Sequence, residues 1–255
     1  MDETYPSEYY RGVPFKRSLK GVDIAVTRSA DWWRAREDML DRARIQIPEG
    51  YQSSYRDVEE WRRRRGRVLY VAKGPSAARA SDYIRYAGTV ATVNEAILLV
   101  PYSDYAFFSD ENALMNCRAH WHRIGKFVCP AYVHKDQRGV GSIPVTDVLG
   151  HDRNVVVTHR SQMDWDPKKV EESVDAEELL TTDTSVMGLH FLHLAGFTDF
   201  LLYGHDGGIG YADGVPCLRQ DRDMQRFREK IEFVSNELSL HHGTRIEFAD
   251  GKVIE

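Results

Sequence analysis

Cysteine is scarce. The chain of 255 residues has three, Cys117, Cys129 and Cys217, unevenly spaced and without a Cys-x-x-Cys pair. They read as free thiols of a reducing compartment, with the cytoplasm as the expected location. Long hydrophobic runs are missing as well. No stretch approaches the roughly 20 apolar residues that cross a bilayer, so no membrane span is expected. The first residues, MDETYPSEYYRG, are acidic and polar and do not form a secretory signal. There is no internal repeat and no low-complexity tract. Neither Gly-x-Gly-x-x-Gly nor a Walker A loop occurs, so the dinucleotide fingerprint and the P-loop are unsupported.

What is present fits a folded α/β protein. Hydrophobic residues make up 42% and aromatics 11%, enough for a sizeable core and too much for disorder. The length suits one large domain, or one domain with an extension. The net charge of −5 hides an asymmetry. Residues 1–67 carry 15 Lys and Arg against 12 Asp and Glu, whereas the remainder carries 19 against 27. Much of the basic excess is Arg62–Arg65 with Arg67. Such a run can attract a phosphate-rich polymer. Beside Glu59 and Glu60 it also reads as a solvated helix end.

Residues 1–29 look like an arm with a short strand at Val22–Val26. Residues 30–45 and 55–65 have helical spacing and end at Pro48/Gly50 and at Gly66. A helical extension over 1–66 is therefore expected ahead of a domain over 67–255. From Val68 the pattern changes to short apolar runs alternating with helical stretches. Strands are expected at RVLYVA, GTVATVN, Tyr105–Phe108, KFVCP, RNVVVTH and TDFLLYGHD. Helices are expected over 76–87, 111–124, 175–180, 184–197 and 223–238, and a strand pair around Asp250-Gly251 ends the chain. This order predicts a mostly parallel sheet with helices on both faces. Ligands of such sheets bind beyond the C-terminal strand ends.

The polar residues at those ends are the candidates. Lys73-Gly74-Pro75-Ser76 turns a strand into a helix. Gly74 permits close backbone approach, Pro75 sits where a missing N–H costs least, and Ser76 can cap or donate. A helix start is a natural anion seat, so the turn reads either as a phosphate cradle or as an ordinary capped turn. Asn94 can read donors and acceptors on a base or ribose, or cap the next helix. Asp110 can bind a divalent ion or a ribose, or serve as an N-cap. Thr184 and Ser185 open an apolar helix. The next strand ends in Gly204, His205 and Asp206, of which the last two can do acid–base work. The glycine-rich 207–214 stretch reads as a lid or as a surface loop. His159 is a weaker candidate than His205. His190 and His193, three apart, have possible metal spacing but no third ligand, and read as packing histidines.

The ordered series of strand plus Gly-Pro-Ser, strand plus Asn, DYAFFSD, and Thr-Ser followed by LAGFTDFLLYGHD resembles the bacterial lipooligosaccharide sialyltransferases. It also resembles a related group that includes the 6-hydroxymethylpterin pyrophosphokinases. The resemblance covers about residues 67–240. It implies a Rossmann-like nucleotide-binding domain and a nucleotide-dependent transferase, foremost a glycosyltransferase using a sugar-nucleotide donor. In that reading Gly74, Pro75, Ser76, Asn94 and Ser185 hold the nucleotide and Asp206 helps shape the site; the residues' own chemistry adds Lys73, Asp110 and Thr184 to the expected nucleotide-binding set. Two departures stand out. Lys73 occupies the place of an asparagine in the pattern. The stretch VPCLRQDRDMQRF lacks the family's general-base histidine, so sialic acid transfer is not expected and His205 or Asp206 must serve as base. The alternative is a phosphotransferase of the pyrophosphokinase type, with Mg²⁺ on Asp110, Glu111 and Asp206. A third reading is a binding protein without catalysis that docks nucleic acid. The acceptor, a glycan or a nucleic acid, and any homo-oligomer remain open from the sequence.

Overall fold

The computed structural model describes residues 66–130, 132–134, 142–149, 155–158, 165–176, 179–180, 183–208, 210–216 and 224–255, with the backbone of 15–19 and 22–26. Strands β1 (Phe15–Leu19) and β2 (Val22–Val26) form an antiparallel pair. The strand expected at Val22–Val26 is there, with a partner that the sequence did not suggest. The helices expected over 30–45 and 55–65, the Arg62–Arg65 run and His159 lie outside the described residues.

The main domain grows from β3 (Arg67–Val71). Val68 and Tyr70 enter one hydrophobic cluster, and Leu69 and Val71 the other. A strand that is apolar on both sides must be covered on both faces. Strands β4 (Thr89–Val93), β5 (Ser103–Phe107) and β6 (Ile124–Pro130) add in parallel on one flank. A separate hairpin pairs β7 (Tyr132–His134) with β8 (Ser142–Pro144), and β9 (Val155–Thr158) then joins β6 in parallel. On the other flank of β3 lie β10 (Asp199–Tyr203) and β11 (Arg245–Phe248), also parallel, and β12 (Val253–Ile254) ends the sheet antiparallel. The order is β12-β11-β10-β3-β4-β5-β6-β9. This is a Rossmann-like α/β fold with a mostly parallel, mixed eight-stranded sheet.

The helices cover both faces. They are α1 (Glu111–Asn116), α2 (Val145–Leu149), α3 (Pro167–Asp175), α4 (Thr184–Leu194) and α5 (Gln225–His242). Helices α3, α4 and α5 supply Val170, Val174, Leu189, Phe191, Ile231 and Leu238 to the cluster of Tyr70. The opposite face packs Ala77 and Ala80 of a 3-10 helix (Pro75–Tyr86), Ala96 and Ile97 of another (Asn94–Leu99), α1 and α2. Helix α4 is buried nearly all round, as its mostly apolar sequence, TSVMGLHFLHL, requires.

Several boundaries differ from expectation. The single helix expected over 111–124 is α1 followed by a 3-10 helix, Arg118–Arg123. No helix begins at Asp175. That residue ends α3, whose start is set by Asp166, which accepts from Lys168 N at 3.2 Å, and by Pro167 in the first helical position.

The strand order matters for function. The chain leaves β3 toward β4 on one flank, whereas β10 docks on the other. The C-terminal ends of β3 and β10 therefore lie at a reversal of strand order, the position where open parallel sheets bind ligands.

Candidate functional site

The turn after β3 meets the turn after β10 at that edge of the sheet. The ladder continues past both strands: Ala72 N donates to Tyr203 O at 2.8 Å and Gly74 N to Gly204 O at 2.9 Å. Gly204 N then donates to Ser76 Oγ at 2.7 Å, and Ser76 N donates to Asp206 Oδ2 at 2.7 Å. Ala77 N turns back to Gly74 O at 3.0 Å. Pro75 has no N–H to give. Each backbone N–H from residue 74 to residue 77 is thus bonded within the chain. Gly74 is required by close approach, since a Cβ there would lie 2.7 Å from both Gly204 O and Asp206 Oδ2.

Asp206 therefore fastens the turn. Asp206→Ala should lower stability by about 1–2 kcal/mol by stranding the Ser76 N–H. Asp206→Asn keeps an acceptor oxygen and should stay within about 0.5 kcal/mol of the parent on the same grounds. Urea unfolding of both variants checks this, and equal stability of Asp206→Ala and the parent protein would refute it.

Lys73 is also engaged. Its Nζ lies 2.7 Å from Glu95 Oε2, and Glu95 is only 1% exposed. The second Glu95 oxygen accepts from Asn116 Nδ2 at 3.0 Å. The Tyr211 ring lies 4.8 Å from Nζ, and Ala212 N donates to Lys73 O at 2.8 Å. The glycine-rich loop thus lies against Lys73, anchored by buried Ala212 and Val215.

On the far side of β3, Asn94 follows β4 in the left-handed region, with φ +52°, the one non-glycine residue with positive φ among the described residues. Its Oδ1 is buried and has no hydrogen-bond partner among them. A backbone held in this region together with an orphaned acceptor is a recurring mark of ligand sites. Asp110 heads α1 without a side-chain capping bond, and its backbone bridges to His134.

Helix α4 begins at the same edge of the sheet. Its cap is Asp183, which accepts from Val186 N at 3.0 Å and lies 3.6 Å from Lys230 Nζ. Thr184 donates to Ser109 Oγ at 2.9 Å, tying α4 to the end of β5. Ser185 O accepts from the Tyr70 hydroxyl at 2.7 Å. Burial, with Asp183 adding to it, raises the Tyr70 phenol well above its usual range.

His205 stacks on Tyr70 with ring centroids 5.1 Å apart and is 8% exposed. Its Nε2 has no partner among the described residues, and its carbonyl accepts from Arg228 at 3.0 Å. Burial first, and the Arg228 charge second, lower the imidazole to about 3. It is neutral at pH 7 and a weak base, because a general base works best with a pKa near the operating pH.

The fold thus brings Lys73–Ser76, Asn94, Asp110, Thr184, Ser185, His205 and Asp206 to one edge of the sheet. No group of three or more His, Cys, Asp or Glu is placed to hold a metal among the described residues, so Mg²⁺ at Asp110 finds no ready ligand set there. His190 Nδ1 accepts from Leu180 N at 3.1 Å, and His193 Nδ1 is 3.0 Å from Thr244 Oγ1. Sequence reasoning placed Ser109 among the polar residues at the strand ends but missed Tyr70, Glu95, Asp183 and Tyr211. Asp183 had a signal, the Asp-Thr-Ser start of an apolar run, but the other three act through partners distant in sequence. Comparison with protein families, curated proteins and solved structures finds no match to this chain.

Proposed function

We propose that the chain is a nucleotide-dependent transferase of the glycosyltransferase class, with its donor at the C-terminal edge of β3, β4, β5 and β10. The observation that carries this reading is Asn94. It is held left-handed at the end of β4, with a buried side-chain oxygen left without a partner. Such a group suits the N–H or hydroxyl of a base or sugar. Convergence of the other candidates on the same edge supports it, as does the position beside a reversal of strand order. In this reading Asn94 reads the nucleoside, His205 adds a hydrogen bond from its neutral ring, and Ser185 borders the donor at the start of α4. The 207–216 loop, lying on Lys73, borders the path of the acceptor.

Thermal unfolding with a panel of nucleotides and sugar nucleotides tests the reading. A ligand at about 100 times its Kd adds about 2.7 kcal/mol through mass action. For a protein of this size that is a rise of about 5–10 °C in Tm. Asn94→Ala should remove most of the shift while leaving the unliganded Tm within a few degrees. If no nucleotide at millimolar concentration moves the Tm, the reading falls.

A further inference from the structure

The three features that could seat a phosphate each hold a carboxylate of the chain already. The Lys73 ammonium is paired with Glu95 at 2.7 Å. The Ser76 N–H, at the start of the 75–86 helix, is bonded to Asp206 at 2.7 Å. The start of α4 carries Asp183, 3.0 Å from Val186 N. An incoming phosphate must displace one of these anions or lie beside it, and like charges at such range repel even at the effective dielectric of a protein surface. Of the buried polar atoms at this edge without a hydrogen-bond partner among the described residues, one, Asp183 Oδ2, is offset by Lys230 Nζ at 3.6 Å. Two others are uncharged. Asn94 Oδ1 and His205 Nε2 belong to an amide and to an imidazole that burial keeps uncharged at pH 7. They follow β4 and β10, which flank β3 on either side. At a strand spacing of about 4.8 Å, the two ends are roughly 10 Å apart, the length of a nucleoside.

We infer that this edge of the sheet takes its ligand through an uncharged nucleoside part, and that phosphates attached to that nucleoside add no affinity in the ground state. The inference rests on the nucleotide reading above and names which half of the nucleotide is bound. Binding energy then comes from the base and sugar, and the internal carboxylates keep free polyphosphate out.

Isothermal titration of the full chain tests it, with adenosine, guanosine, cytidine and uridine and their 5′-mono- and diphosphates, each with and without Mg²⁺. For whichever base binds, the nucleoside and its phosphates should agree within about threefold, a difference of well under 1 kcal/mol. The affinity should hardly change with salt, because no charge pair is formed. Asp206→Asn retains the bond to Ser76 and removes a charge, so it should favour the monophosphate over the nucleoside on the order of tenfold. A tenfold or greater preference of the unaltered protein for the phosphorylated forms, with or without Mg²⁺, overturns the inference and leaves the nucleotide reading standing. An unchanged ratio in Asp206→Asn overturns it too, since that carboxylate would then not be the obstacle. Silence with every nucleoside and nucleotide overturns both.

Discussion

Gly204→Ala is expected to lower stability by about 3–4 kcal/mol, a large share of the roughly 5–15 kcal/mol that hold a domain together. Two costs add. Gly204 has φ +75°, where a Cβ costs about 1–2 kcal/mol. That Cβ would also lie 2.4 Å from Ala72 O and 2.5 Å from Ala72 C, with Ala77 Cβ at 3.0 Å. Those neighbours are backbone at the end of β3 and a buried residue of the next helix, so neither can swing away. Overpacking of this kind costs about 1–3 kcal/mol. Moving β10 outward to make room would stretch the Gly204 N to Ser76 Oγ and Gly74 N to Gly204 O bonds. Gly208→Ala separates the two costs: φ there is +80°, but no atom of the described residues lies within 4 Å of the added Cβ. It should lose only the conformational part, about 1 kcal/mol. Urea unfolding of both variants measures the gap, and equal losses at the two positions would show that β3 and β10 do not approach each other this closely.

How far the site could be read from the sequence follows from which interactions are local. The strands were legible because RVLYV and its relatives are apolar on both faces, and only a covered strand needs that. The side of β3 on which β10 docks was not legible, because strand order depends on packing between segments over a hundred residues apart. The long helix after Pro75 was expected but not its 3-10 winding. A signal existed in Ala77, Ala80 and Tyr83, which face the core at intervals of three, the period of that helix. At the site, the residues at the strand ends were found because a parallel sheet sends its C-terminal turns to one edge. Their bonding was hidden. Lys73 read as a free cation and the 74–76 turn either as a phosphate cradle or as an ordinary capped turn. The residues that engage them, Glu95 and Asp206, stand 22 and 130 positions further along the chain. Asp183 differs, since its bond to Val186 N spans three residues and its cap signature lies in the local sequence.

Acid should unfold the protein well above the pH at which its carboxylates protonate. Burial, the largest cause for each, lowers His190 and His205 to about 3 and His193 to about 4. Neighbouring charge adds to it: His193 and His242 lie beside His190, His242 beside His193, and Arg228 beside His205. The geometry agrees. Leu180 N donates to His190 Nδ1, so that atom cannot carry a proton while the bond stands. The His193 and His242 rings are 4.8 Å apart, too close for two charges to sit at ease. In the unfolded chain each imidazole titrates near 6.5. As the pH falls below 6.5 the unfolded state takes up protons that the folded state refuses until about pH 4 to 3. Stability is therefore full above pH 6.5 and declines through that window, by about 1.4 kcal/mol per pH unit for each histidine. Three together remove about 4–6 kcal/mol between pH 8 and pH 5, comparable with the whole stability of a typical domain. Ordinary carboxylates, with pKa values near 4, are still largely ionised at pH 5, so the decline down to that point belongs to the histidines. Urea unfolding at pH 8, 7, 6 and 5 should show a midpoint that is level above 7 and then falls steeply. His205→Gln, which removes one of the three titrating groups, should reduce the steepness by about a third. A midpoint that stays level down to pH 5 would mean that these rings are protonated, or reached by water, in the folded protein.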